Sequence, residues 1–321
     1  MEKYDLIIIG GGPAGLTAGI YAARRKLKTL IITMTIGGQV LLTNKICNYP
    51  GFFNVSGINF INKLRKQVEK AGAEIIIDEV KKISPQGDEF LVKTETKDFI
   101  AKALILAYGK KPRKLNVPGE EELIGKGVSY CANCDAPLFK GKIVAVVGGG
   151  NSALDAALLL SKIAEKVYLI HRREEFRGFE SFVDEVKKKK NVEILLNSVV
   201  TEIKGEGKVS WISVKDVKSG EVKDIRLDGV FIEIGYEVDP SIAKDIVKLD
   251  ELNQIIVDSK CRTFYPDKDE IRPGIFAAGD VTDVAFKQIV VAAGEGAKAA
   301  LAAYNYLHGV ENYKIIGDWR K

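Results

Sequence analysis

"YDLIIIGGGPAGLTAGIYAARRKLKTLIIT", residues 4–33, decides how this 321-residue chain folds. An apolar run from Leu6 to Ile9 leads into Gly10-x-Gly12-x-x-Gly15, an alanine-rich helical stretch follows, and a second apolar run from Leu30 to Ile32 closes the unit. Strand, glycine turn, helix and strand in this order make the βαβ unit that binds dinucleotides. Its glycines allow a tight turn and a close backbone approach to a pyrophosphate, which then sits at the positive end of the following helix. One such turn is weak evidence, because any tight strand-to-helix connection can share the spacing. Residues 142–173, "KIVAVVGGGNSALDAALLLSKIAEKVYLIHRR", repeat the pattern with Gly148-x-Gly150-x-x-Ala153. Two copies in one chain imply two dinucleotides.

The residues just past the second strand distinguish the copies. After the second unit stands "HRREEFRG", with Arg172, Arg173 and Arg177 where a site for NAD places an acid against the ribose 2′-hydroxyl. Forked guanidinium donors suit a 2′-phosphate, so NADP is expected there. The first unit ends in "IITMTIGGQ", which offers neither acid nor arginine and so suits a nucleotide other than NAD(P). Downstream, "GIFAAGDVTD" (274–283) reads as a short apolar strand ending in Gly279 and Asp280, able to turn a carboxylate toward a cofactor hydroxyl.

At 46% hydrophobic the chain can bury a sizeable core, and its length suggests two domains. A net charge of +5 is spread over 48 basic and 43 acidic residues with no long basic arm, which disfavours nucleic acid as a partner. The opening "MEKYDLIIIG" reads as neither a signal peptide nor a membrane span, so a soluble, cytoplasmic protein is expected. Four cysteines do not make a disulfide scaffold, yet two of them, Cys131 and Cys134, form a CxxC in "SYCANCDAPLF" (129–139). That pair by itself can be a metal knuckle, a structural disulfide or a redox couple. Cys47 and Cys261 stand alone, and no second CxxC or CxxH supports zinc. The two histidines, His171 and His308, are not adjacent to the thiols in sequence, whereas Asp135 is.

The order of GxGxxG, "GGQ", "NYPG", "YCANCD", "GGGNSA", "HRREEFR", "GIFAAGD" and "KQIVVAAGEGAKAA" resembles that of the low-molecular-weight thioredoxin reductases, from about residue 4 to residue 307. The motifs differ in kind and keep their order. The resemblance implies an α/β fold of two dinucleotide-binding, Rossmann-like three-layer domains, with an NADPH domain at 113–237 inserted into an FAD domain made of 1–112 and 238–321. The joins "KKPRKLNVPG" and "GYEVDP" read as linkers. Beyond the turn glycines Gly10, Gly15 and Gly37 and the strand-end Gly279, it implies FAD contacts near Gly12, Pro13, Ala14, Gly38, Gln39, Asn48, Val80, Gly109, Asp280, Lys287, Gln288 and Ile289. NADPH contacts are implied at Gly150, Asn151, Ser152, Ala153, His171, Arg172, Arg173, Arg177, Ile234 and Gly235.

For the chemistry, the resemblance implies a thioredoxin-disulfide reductase that passes electrons from NADPH through FAD to a Cys131–Cys134 disulfide. Cys134 takes the flavin-proximal role, Cys131 the interchange role and Asp135 that of acid and base. The implied partner is thioredoxin or a glutaredoxin-like protein disulfide, and the implied assembly a homodimer with no resident metal. Competing readings are a ferredoxin-NADP reductase-like enzyme, a dithiol oxidase of the same fold, and a flavin-binding sensor whose CxxC holds metal. The chain departs from the family pattern at Cys47, Tyr108 and Ala136. The connection "RTFYPDKDEIRPGIF" before the Gly279-Asp280 strand is longer than usual, and the tail "ENYKIIGDWRK", with Trp319, extends past the usual end.

Overall fold

A computed structural model describes residues 1–310 apart from 43–45 and 47, and for Leu42 and Cys134 the backbone alone. Cys47, the tail, Trp319 and the Cys134 sulfur therefore lie outside the described set. The chain forms two compact units, Met1–Lys111 with Glu237–Lys321, and Pro112–Tyr236.

In chain order the first unit begins with β1 (Glu2–Ile9), α1 (Pro13–Arg24), β2 (Thr29–Thr33), α2 (Gly57–Ala71), β3 (Glu74–Ile77), β4 (Val80–Gln86), β5 (Glu89–Thr94), β6 (Asp98–Leu106) and β7 (Lys111–Pro112). The second holds β8 (Val128–Ser129), α3 (Ala132–Asp135), β9 (Ile143–Val147), α4 (Asn151–Ser161), β10 (Lys166–Ile170), α5 (Glu180–Lys187) and β11 (Val192–Leu195). It continues through β12 (Ser198–Lys204), β13 (Trp211–Asp216), β14 (Val222–Arg226), β15 (Gly229–Ile232) and β16 (Tyr236–Glu237). The chain then completes the first unit with β17 (Arg262–Phe264), β18 (Ile271–Ala277) and α6 (Ile289–Leu307).

The main sheet of the first unit runs β17-β18-β6-β1-β2-β3. β1 lies parallel to both β2 and β6, and β18 lies parallel to β6. Leu6 and Ile8 of β1 join the core beneath α1, α2 and α6, while Ile7 and Ile9 join the opposite core. A strand covered on both faces needs an unbroken apolar run rather than alternation, which is what "LIII" provides. The second face is closed by the antiparallel meander β4-β5-β6 and by Val238, Ile246 and Ile255. Helices α1 and α6 touch backbone to backbone: a Cβ on Gly296 would lie 2.1 Å from the Ala14 carbonyl oxygen.

The second unit repeats the plan. Its five strands are ordered β11-β10-β9-β15-β8 and are all parallel. Val144, Val146 and Phe231 face α4 and its neighbours, whereas Ala145, Val147 and Val230 face Ile212 and Val214 of the antiparallel β12-β13-β14 sheet. Each unit is thus a three-layer α/β structure around a dinucleotide-type parallel sheet. Among the described residues no helix is long and apolar enough to cross a membrane.

Candidate functional site

The first glycine turn joins β1 to α1. Gly10 has φ +114°, and a Cβ there would sit 2.2 Å from the Ala107 carbonyl oxygen, so a side chain is excluded by both conformation and space. Gly12 caps α1 and Pro13 opens it, where a fixed φ and a missing N–H are both acceptable. Nothing lies within 4 Å of the Cβ position on Gly12, which leaves the positive helix end open to an anion.

A connected set of contacts surrounds this cradle. The Gly37 amide donates to the Gly11 carbonyl (2.7 Å), and a Cβ on Gly38 would lie 3.7 Å from the Gly12 Cα. Gln39 Nε2 donates to the carbonyl of Lys110 (2.9 Å), next to Gly109. The Lys110 ammonium lies 3.4 Å from Asp280, and a Cβ on Gly279 would meet the Ala14 Cβ at 2.9 Å. Glu295, 4% exposed, accepts the Gly279 amide at 2.6 Å, and burial raises its pKa. Asn48 donates to Gln288 (3.0 Å), which caps α6 at Ile289. Lys287 donates to the Thr282 carbonyl, and burial holds its ammonium below the ordinary lysine range. The structure thus gathers Gly10, Gly12, Pro13, Ala14, Gly15, Gly37, Gly38, Gln39, Asn48, Gly109, Gly279, Asp280, Lys287, Gln288 and Ile289. Val80 starts β4 in the opposite core, and two residues before it the Asp78 amide donates to the carbonyl of Thr33 (3.0 Å), whose hydroxyl accepts the Gly11 amide (2.9 Å). An open cradle at a helix start with a carboxylate on its rim fits the pyrophosphate and hydroxyls of FAD.

The second turn has the same construction. Gly150 caps α4 with nothing within 4 Å of its Cβ position, and Ala153 is fully buried one turn on. A Cβ on Gly149 would fall 2.2 Å from the His171 ring, so the glycine lets the imidazole pack against the turn. His171 stacks on Phe176 (5.4 Å, 17°), and its Nε2 lies 3.0 Å from the Glu175 carbonyl. Burial pushes its pKa down, and the fields of Arg173, Arg172 and Arg177 push the same way. The loop after β10 is drawn onto α4 by Arg177 N–H donating to Gly149 O (2.7 Å) and Phe179 N–H donating to Asn151 Oδ1 (2.8 Å). Ser152 is exposed in the first turn of that helix. Arg172, Arg173 and Arg177 are exposed and make no ion pair among the described residues. Ile234 and Gly235 follow β15, and the Gly235 carbonyl accepts the Arg113 amide at 2.9 Å. Three guanidiniums without counter-charges beside an open helix start fit the 2′-phosphate of NADPH.

The CxxC lies in this same unit. Cys131 is disulfide-bonded and caps the short helix α3. Its amide donates to Ser129 Oγ (3.1 Å), and its carbonyl accepts the Asp135 amide at 3.2 Å. Asp135 is half-buried at the end of α3. Upstream, Tyr130 donates its hydroxyl to Glu120 (2.7 Å), a carboxylate 1% exposed that also accepts the Leu115 and Asn116 amides. Glu233, just past β15, accepts the Ala132 amide at 3.3 Å, and burial pushes its pKa up to about 7. Sequence reasoning missed Glu120, Glu295 and Glu233. Only Glu233 carried a visible signal, an acid within the apolar run "VFIEIG".

Known proteins share both this sequence pattern and this architecture. The profile of the pyridine nucleotide-disulphide oxidoreductases matches residues 4–296, and the chain belongs to that family. A thioredoxin reductase of Treponema pallidum is 39% identical over 311 residues, 96% of this chain and 99% of the relative. The crystal structure of Lactococcus lactis thioredoxin reductase superposes with a TM-score of 0.78 at 39% identity, covering 95% of this chain and 99% of that one. The thioredoxin reductase of T. acidophilum gives 0.76 at 38%, with coverage of 95% and 99%. The chain is a flavoprotein oxidoreductase whose cofactors are FAD and NADPH.

Proposed function

We propose that this protein is an NADPH-dependent thioredoxin-disulfide reductase. The unit Pro112–Tyr236 binds NADPH and carries the reactive dithiol, and the unit formed by Met1–Lys111 and Glu237–Lys321 binds FAD. One observation supports this reading above the others: Cys131, in a disulfide, opens a helix in the same compact unit as a nucleotide turn followed by three arginines that make no ion pair among the described residues. When bound, the two cofactors supply a hydride and relay its electron pair to a disulfide.

The rest falls to the chain's own residues. In this reading the disulfide that is opened is the Cys131–Cys134 pair. Two electrons and one proton open that bond to one thiol and one thiolate. The Cys131 sulfur attacks the protein disulfide, forming a mixed disulfide and releasing one partner sulfur as a thiolate. Cys134 then attacks the Cys131 sulfur, re-forming the Cys131–Cys134 disulfide and displacing the partner, which leaves with both its sulfurs reduced. The amides of the α3 start favour a thiolate at Cys131, and Asp135 moves the proton between steps. Arg172, Arg173 and Arg177 hold the 2′-phosphate while Gly150 to Ala153 receive the pyrophosphate. The partner is thioredoxin or a glutaredoxin-like protein, and the working assembly is a homodimer.

The test uses a single-cysteine thioredoxin activated as its thionitrobenzoate mixed disulfide. Cys134→Ser should release thionitrobenzoate and give a covalent complex on a non-reducing gel, whereas Cys131→Ser should give none. Wild-type holoenzyme should consume NADPH in step with oxidised thioredoxin. Consumption that follows oxygen alone, with no protein disulfide reduced, would make the chain a dithiol oxidase instead.

A further inference from the structure

Glu233 joins the dithiol helix to the nucleotide turn within one unit. Its amide donates to the Val147 carbonyl (2.8 Å), and its own carbonyl oxygen lies 2.2 Å from where a Cβ on Gly148 would stand. Its Oε1 accepts the Ala132 N–H, which belongs to the peptide linking Cys131 to α3. Neither nucleotide set nor the CxxCD stretch includes this carboxyl. A serine or asparagine would cap a helix start as well while staying neutral. A glutamate adds a titrating group one peptide from the reactive sulfur.

We infer that Glu233 is a positioning residue for the dithiol: acting through the Ala132 amide, its carboxyl binds a proton when the disulfide at Cys131 opens and releases it when the disulfide re-forms. This rests on the dithiol reading above. Opening the S–S bond takes up two electrons from the NADPH-dependent reaction and one proton, and leaves a thiol and a thiolate. The new negative charge favours the neutral form of the nearby carboxyl, which takes a second proton, and no bond other than S–S is broken.

The surroundings of Glu233 suit that role. Burial raises its pKa, Asp155 on α4 pushes the same way, and the Ala132 amide from α3 opposes them. The turn after β9 presents backbone only. The carboxyl therefore titrates at about 7 while the disulfide is closed. Below that pH it is neutral in both redox states and adds no proton to the reduction. Above it, the carboxylate is ionised beside the disulfide and reduction draws in the extra proton. Each pH unit there costs the dithiol a further tenfold in its equilibrium constant, about 30 mV for a two-electron couple.

Holoenzyme equilibrated in dithiothreitol redox buffers between roughly pH 6 and 9, then acid-quenched and tagged with a maleimide of known mass, reads the cysteines without reference to turnover. Wild type and Glu233→Gln should coincide at the acid end. Above neutrality they should diverge by up to about tenfold in equilibrium constant per pH unit, with the variant reduced more readily. Ala132→Pro removes the amide at a first-turn position that tolerates proline, and should move the onset to higher pH, because that amide is what lowers the Glu233 pKa. Parallel wild-type and Glu233→Gln curves across the range would overturn the inference and leave the carboxyl as a passive cap. If the Cys131 thiol does not respond to the buffers at all, the dithiol reading itself fails and takes this inference with it.

Discussion

Arg172, Arg173 and Arg177 stand exposed after the second nucleotide turn and make no ion pair among the described residues. Each charge-assisted bond to a 2′-phosphate is worth about 1.5–3 kcal/mol, or one to two decades in affinity. Replacing any two with Ala should therefore raise the KM for NADPH by at least about a hundredfold and leave that for NADH within a few-fold, read from steady-state kinetics with both nucleotides. Equal losses with both would detach these residues from the 2′-phosphate. Their charge was legible in the sequence because three arginines after a βαβ unit need no fold to be counted. The acids were harder to find. Glu120 and Glu295 are 1% and 4% exposed, and the standing of a carboxylate depends on what covers it, which spacing does not record.

At the scale of elements, the sharpest constraint is the contact between α1 and α6. The Ala14 carbonyl is backbone and cannot yield to a Cβ on Gly296, whereas two residues earlier in the same helix Gly294 has nothing within 4 Å. Gly296→Ala should cost about 1–3 kcal/mol by overpacking and loosen FAD, since Ala14 borders the Gly12 cradle. Gly294→Ala should gain up to about 1 kcal/mol from helix propensity. Thermal melts of the two variants with FAD retention after dialysis check both, and equal melting temperatures would mean that the close approach contributes no stability. The two βαβ units, β1-α1-β2 and β9-α4-β10, were readable because each is announced by a local apolar run and a glycine turn. The meanders β4-β5-β6 and β12-β13-β14 were not, because each is held in place by covering a sheet face already built, and half-buried antiparallel strands such as "VKDIR" carry too few apolar residues to stand out.

The whole molecule is one unit interrupted by another. The ends of the insert meet, with the Arg113 amide on the Gly235 carbonyl at 2.9 Å, and the insert has its own two cores. Residues 112–236 expressed alone should therefore melt cooperatively and retain NADPH, while a chain joining Lys111 directly to Glu237 should bind FAD and leave NADPH unoxidised. Calorimetry and flavin absorbance decide both, and an insert that fails to melt cooperatively would count against its independence.

That meeting of ends also bears on how the outer unit assembles. Its sheet must bring Leu104 of β6 beside Ile275 of β18, across a stretch of chain that contains the entire insert. While the insert is unfolded, this is one very long loop. Once the insert has folded, its ends lie side by side and the effective loop shortens roughly fourfold, which relieves about 1 kcal/mol of closure entropy. Early folding of the inserted unit should thus speed assembly of the sheet whose chain it interrupts, and a substitution that weakens only the insert's core should slow the docking of β18 onto β6 without touching either strand.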